Sequence, residues 1–322
     1  MTIFARSLAN FLMATLLLFL IHRYFIFWHD WPNVSEALSV FSDDEASINK
    51  IKAITVLSTF FIVFAFIIWH ATANKTTSLM KEADRYKAWA AYVIRFAFWS
   101  VFLIGLFDAT LSALRIENVL ITLVGEPMDT KLGLSKFRGL YFHYPLLILS
   151  AIIAAFTRGL SFIWLAFLVV LAEFSIVITR FIFSYEQAYM GDLVRFWYAA
   201  LFLFASSYTL IEEGHVRVDV IYASMRAKSK AWVNTIGCLL LGIPFCFTIL
   251  LMGLEGRHSS LSSPIINFEI SQSAYGMFVK YLMAGFLIIF AVSMAIQFIS
   301  YFLSNAAVLL NDDRAPQLTE EA

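Results

Sequence analysis

Seven apolar stretches, 9–28, 51–72, 91–114, 160–183, 193–211, 232–254 and 281–303, are each long enough to cross a bilayer, for which about 17–25 helical residues suffice. Hydrocarbon offers the backbone no hydrogen bonds, and a helix satisfies nearly all of its own within one segment. The chain is therefore expected to be an all-α integral membrane protein. An eighth stretch, 141–157, is shorter and opens with His143 and Pro145; it is either a crossing helix or a re-entrant one. The expected architecture has about eight transmembrane helices, seven clear and one short.

Composition agrees: 61% hydrophobic and 14% charged residues leave too much apolar surface for a soluble core. Lys+Arg and Asp+Glu are equal at 23 each, which gives no reason to expect a nucleic-acid partner. Cys238 and Cys246 lie about 12 Å apart along one predicted helix, too far to bridge each other and without metal-binding spacing. They read as small residues in a helix interface. The first apolar run continues through Tyr24 to Trp28 with no small-x-small cleavage site, and is expected to be a retained helix. No phosphate-binding loop, His-Glu-x-x-His pattern or nucleophile elbow is present, so neither an enzyme nor a cofactor is expected. The sequons at Asn33 and Asn74 are short patterns that carry little weight alone.

Loop charges suggest the topology. If all eight segments cross and the N-terminus is cytoplasmic, one side carries Arg6, Lys75, Lys81, Arg85, Lys87, Arg158, Arg217, Arg226, Lys228, Lys230 and Arg314. The other carries Lys50, Arg115, Lys131, Lys136, Arg138 and Arg257 beside the acidic run Asp43, Asp44, Glu45. This bias places both termini in the cytoplasm. Its weak point is the segment 115–140, with four basic residues on the outer side. The tight Arg158-Gly159 turn divides the sequence into 1–158 and 159–310, each with four helices, and leaves a polar cytoplasmic tail, 311–322. Trp28, Trp31, Trp69, Trp89, Trp197 and Trp232 fall near predicted helix ends, as in an interfacial aromatic belt.

Asp108, Glu173, Arg180, His70 and Gln297 lie in or beside apolar segments. Glu173 and Arg180, seven apart, share a helix face. They form a charge relay or substrate site, or serve as interhelical anchors, or Arg180 snorkels to the interface. Asp108, six residues from its helix end, is placed closer to water, and His70 is placed at the interface. Two further functions use such groups: a haem held by His70 and His143, or a self-contained channel or sensor built on Asp108 and Glu173.

The most distinctive stretch is 205–222, Ala-Ser-Ser-Tyr-Thr-Leu-Ile-Glu-Glu-Gly-His-Val-Arg-Val-Asp-Val-Ile-Tyr. It reads as a helix end with Gly214 supplying the left-handed cap, followed by an interfacial segment whose charges reach water. Ser207-Tyr208-Thr209-Leu210 leading into Gly214-His215-Val216-Arg217-Val218-Asp219 resembles the small membrane subunit, the DctQ type, of tripartite ATP-independent periplasmic (TRAP) transporters. Arg180 before Phe181, Asp192 opening the next helix, Gly242 and Pro244, and Gln297 match family positions too. The resemblance covers about 160–310. It departs from the family in lacking Pro and Trp within 184–191 and a Pro-Trp ending to the loop 255–280, in Glu213 standing for a frequent Asp, and in carrying residues 1–158 ahead of the domain.

The resemblance implies a protein of the bacterial inner membrane that holds no solute itself. A periplasmic solute-binding protein captures an organic acid or related solute, a large membrane subunit carries the solute and sodium sites, and the small subunit braces the large one within the lipid. Arg180, Asp192, Tyr208, Gly214, His215, Arg217, Asp219 and Gln297 are then partner-contact or motif residues, with Arg217 and Asp219 at the cytoplasmic face. The small residues Ala205, Ser206 and Ser207 permit close helix packing.

Overall fold

The computed structural model describes residues 1–39, 49–73, 77–159, 163–211, 220–270 and 276–312. Among these the chain is helical without strands, and eight helices are long and apolar enough to cross a membrane: α1 Thr2–His29, α2 Lys50–Ala73, α3 Leu79–Ile116, α4 Ser135–Phe156, α5 Ile163–Phe183, α6 Ala188–Leu210, α7 Ala227–Gly253 and α8 Lys280–Leu309. This is a multi-pass membrane protein. Gly214, His215, Arg217 and Asp219 lie outside the described residues.

Two helices differ instructively from their sequence expectation. At 38 residues α3 starts well before the apolar run, because residues 79–90 contain Lys, Glu, Ala and Arg with no Gly or Pro to stop a helix. The short stretch 141–157 extends back to Ser135, giving α4 22 residues and the length to cross. Pro145 does not end it. A proline lacks an N–H and its ring collides with the carbonyl four residues back; here the preceding turn, Gly139–His143, is a π-helix, whose wider winding accommodates the ring. The same device recurs in α7, where the π-turn Cys238–Gly242 precedes Pro244.

The chain divides into two compact units, each drawing on both halves of the sequence. The first comprises 1–88, 216–247 and 295–322. In it α1 and α2 pack through rings such as Phe11 and Phe64, 4.8 Å apart. Buried Arg6 pairs with Glu82 at 2.8 Å and also donates to the Thr77 carbonyl. The start of α3 is tied to the end of α8: Asp312 Oδ2 accepts the Leu79 N–H at 2.7 Å, and Ser300 donates to the Ala83 carbonyl at 2.7 Å. Asn234 reaches Asn305 at 3.1 Å, and Gly242 lies against the Phe298 ring, where a Cβ would come within 2.8 Å.

The second unit comprises 89–215 and 248–294. Its core joins Phe98, Val101 and Ile104 of α3, Leu165 and Leu168 of α5, Phe196, Trp197 and Phe204 of α6, and Phe286 of α8. Trp197 is thus not a belt residue. It is 4% exposed, donates to the Val101 carbonyl at 3.1 Å, and sits over Gly105, the one residue type that leaves room for the indole. Trp28, Trp69, Trp89 and Trp232 are exposed. In the last turn of α4 the Ala154 carbonyl has no helical partner, and Arg95 of α3 donates to it at 3.2 Å; Tyr92 donates to the Ala151 carbonyl at 3.0 Å as well.

Candidate functional site

The polar residues of the second unit converge on the short segment Gly276–Val279 that leads into α8. Asp108, from the C-terminal third of α3, is fully buried. Its Oδ1 accepts from Arg138 Nη1 at 2.9 Å and from His143 Nε2 at 3.2 Å, and its Oδ2 accepts the Phe278 N–H at 2.6 Å. Asp192, near the start of α6, accepts the next N–H back, that of Met277, at 3.0 Å. Ser112, one turn beyond Asp108, reaches the Gly276 carbonyl at 3.4 Å. Two carboxylates and a hydroxyl therefore hold three consecutive residues of the main chain. Negative charge is favourable there, since the segment lies just ahead of the positive dipole end of α8 and its buried amides need acceptors.

The cations are held as firmly. Arg138 Nε donates to the Leu132 carbonyl at 2.5 Å, Nη1 also reaches Ser112 Oγ at 3.2 Å, and the guanidinium lies 4.2 Å from the Phe278 ring centre. His143 Nδ1 lies 2.8 Å from the Tyr281 hydroxyl. A carboxylate only accepts, so a neutral His143 ring carries its proton on Nε2 and leaves Nδ1 to accept from the tyrosine.

The π-turn makes this convergence geometrically feasible. Arg138 and His143 are five residues apart, which in an α-helix separates their directions by about 140°. One inserted residue in the turn lets five positions act as four, bringing the two within about 40° of each other. Both then reach the same oxygen of Asp108. Gly139, at the start of the turn, meets the Phe268 ring so closely that a Cβ would fall 2.4 Å from it. Phe268 is itself buried with a left-handed backbone (φ 49°), a conformation bulky residues seldom adopt.

The arrangement corrects several expectations. Asp108 is not near water but shielded from it. Arg138, expected in an outer loop, is 1% exposed, and Arg115, beside it in that expectation, faces Asp129 at 3.7 Å. His143 has both ring nitrogens engaged, which leaves neither for a haem iron. Glu173 and Arg180 do not point into the bundle: both are exposed on α5, and Arg180 faces Glu186 at 3.4 Å. Asp192 joins the buried cluster. Tyr208 is half-buried, and its neighbour Ser207 hydrogen-bonds Ser293 of α8 at 2.6 Å. Gln297 is fully buried, and its amide has no hydrogen-bond partner among the described residues. No group of three or more His, Cys, Asp or Glu suited to a metal ion occurs among the described residues.

Sequence reasoning missed Arg138 and Tyr281. The available signal was Asp108 and Ser112 one turn apart on one face of α3, a polar stripe whose carboxylate needs a donor partner; nothing in the spacing names that partner.

Residues 168–307 match the family model described as "Tripartite ATP-independent periplasmic transporters, DctQ component". They are a DctQ domain. The DctQ family is a transporter-subunit family, not an enzyme family, and its transporters pair it with a large membrane subunit and a binding protein. Comparison with curated proteins and with solved structures finds no match. The DctQ domain supplies Asp192, Met277, Phe278 and Tyr281 to the cluster, while Asp108, Ser112, Arg138 and His143 come from the sequence before it. Within this unit α3 and α4 are thus tied to the domain by hydrogen bonds from a buried ionic cluster: Asp108 to the Phe278 N–H, His143 to Tyr281 and Ser112 to the Gly276 carbonyl.

Proposed function

We propose that this chain is the small permease subunit of a sodium-coupled TRAP transporter for an organic acid or related solute, and that it acts as a rigid brace for the large membrane subunit. On this reading it lies in a bacterial inner membrane with both termini cytoplasmic, and a periplasmic solute-binding protein delivers the solute. The sequence divides into an extension, 1–158, a DctQ domain, 159–310, and a tail, 311–322. Arg180, Asp192, Tyr208, Gly214, His215, Arg217, Asp219 and Gln297 serve assembly, by contact with the large subunit or by shaping the surface that meets it.

The observation that carries the reading, beside the family match, is how the buried charges are used. A solute or ion path needs polar groups with free valence facing a cavity. Asp108, Arg138 and His143 instead spend theirs on one another and on the main chain. That suits a frame. The topology gains support as well, because Arg138 is buried against Asp108 and no longer counts as an outer loop charge.

The experiment is reconstitution. Liposomes with this chain and the large subunit, given the binding protein and an inward sodium gradient, are expected to accumulate solute, and liposomes lacking either membrane chain are not. Transport by this chain alone would overturn the proposal.

A further inference from the structure

Helix α5 presents a charge where a lipid-facing helix has no use for one. Glu173 lies ten residues from Ile163 and ten from Phe183, at the middle of the 21-residue span. That is about 15 Å from either end, beyond the reach of a glutamate side chain to the headgroups. It is exposed, and it makes no hydrogen bond or ion pair among the described residues. The buried side of α5 is Leu165, Leu168, Val169 and Ala172; Val170, Phe174 and Val177, one turn to either side of the glutamate or beside it, are 64%, 59% and 48% exposed. The other acids at depth in the second unit, Asp108 and Asp192, are buried and hydrogen-bonded.

We infer that this stripe of α5, centred on Glu173, is the face that docks against a transmembrane helix of the large membrane subunit, and that the partner helix carries a hydrogen-bond donor at mid-depth opposite Glu173. The inference rests on the function proposed above and adds the contact face and its chemistry. A carboxylate left in hydrocarbon is unfavourable, and intramembrane acids pair across helices or line wet cavities. Lipid supplies no donor at this depth. A second copy of this chain is a poor occupant, because a two-fold contact centred here sets two Glu173 carboxylates against each other. A different helix bearing Arg, Lys, His, Ser or Thr satisfies the carboxylate and covers the apolar stripe together.

The test places a photo-crosslinking residue at Val170 or Val177, and as a control at exposed Leu240 of α7, in the full chain co-expressed with the large subunit. Crosslinks to the large subunit are expected from Val170 and Val177 and not from Leu240. Glu173→Leu is expected to weaken co-purification about three- to fifteenfold, the range of one interhelical hydrogen bond in a membrane. Glu173→Gln, which keeps an acceptor, is expected to restore most of it. Because Glu173 is exposed, both variants should melt as the parent does. If the parent co-purifies with the large subunit but Val170 and Val177 crosslink only to lipid or to a second copy, or Glu173→Leu binds undiminished, this inference fails and the proposed function stands. If the parent does not bind the large subunit at all, the proposed function fails and takes the inference with it.

Discussion

Arg138→Met removes the cation of the buried cluster while keeping an unbranched apolar stem of similar reach. Asp108 then loses its 2.9 Å ionic partner while remaining fully buried, and the Leu132 carbonyl and Ser112 hydroxyl each lose a donor. Breaking a buried ion pair from one side costs about 3–5 kcal/mol, since the remaining charge keeps its desolvation penalty without its compensation. In a unit of this size each kcal/mol lowers the melting temperature by about 2–4 °C, so a drop of about 6–20 °C is expected. Tryptophan fluorescence during heating in detergent reads it, with buried Trp197 as one reporter. Asp108→Asn combined with Arg138→Met removes both charges while leaving an acceptor for the Phe278 N–H. The double variant is therefore expected to be less destabilised than the two single losses added together, by about 1–3 kcal/mol. A single Arg138→Met variant melting within about 2 °C of the parent, or strict additivity in the double, would refute the claim that this buried pair ties α3 to α4 at the base of the cluster.

Asp192→Ala leaves the Met277 N–H without its acceptor at a cost of about 1–3 kcal/mol, and should speed tryptic cleavage at Lys280, whereas Asp192→Asn, still an acceptor, should cleave at nearly the parent rate. Gly242→Val drives a side chain into the Phe298 ring, an overpacking worth about 1–3 kcal/mol; maleimide labelling of buried Cys238 and Cys246 in mild detergent should accelerate, and unchanged labelling would mean that α7 and α8 do not meet closely there. Protein purified from haem-supplemented cells should show no Soret band, because both nitrogens of His143 are engaged; a band lost in His143→Ala would reverse that conclusion.

The number of spanning helices was legible because hydrophobicity over about 20 residues is a property of composition, independent of what each helix touches. The DctQ resemblance was legible for a similar reason: it is carried by an ordered local run, Tyr208-Thr209-Leu210 onward. The fourth span looked short because Lys136 and Arg138 interrupt the apolar run ahead of Tyr141, with Pro145 close behind. The π-turn that carries the helix through this stretch depends on packing, with Gly139 close beneath Phe268.

Sequence by itself thus determined that the chain crosses the membrane many times as helices, and which part of it belongs to a transporter family. Only the tertiary structure decided which charges face one another. Asp108, Arg138 and Tyr281 are separated by 30 residues and more, and no periodicity links residues on different helices; their meeting is set by how helices pack and turn. The same holds for Glu173, whose place in the sequence fixes its depth in the bilayer, while the packing of α5 through Leu165, Leu168 and Ala172 turns it outward.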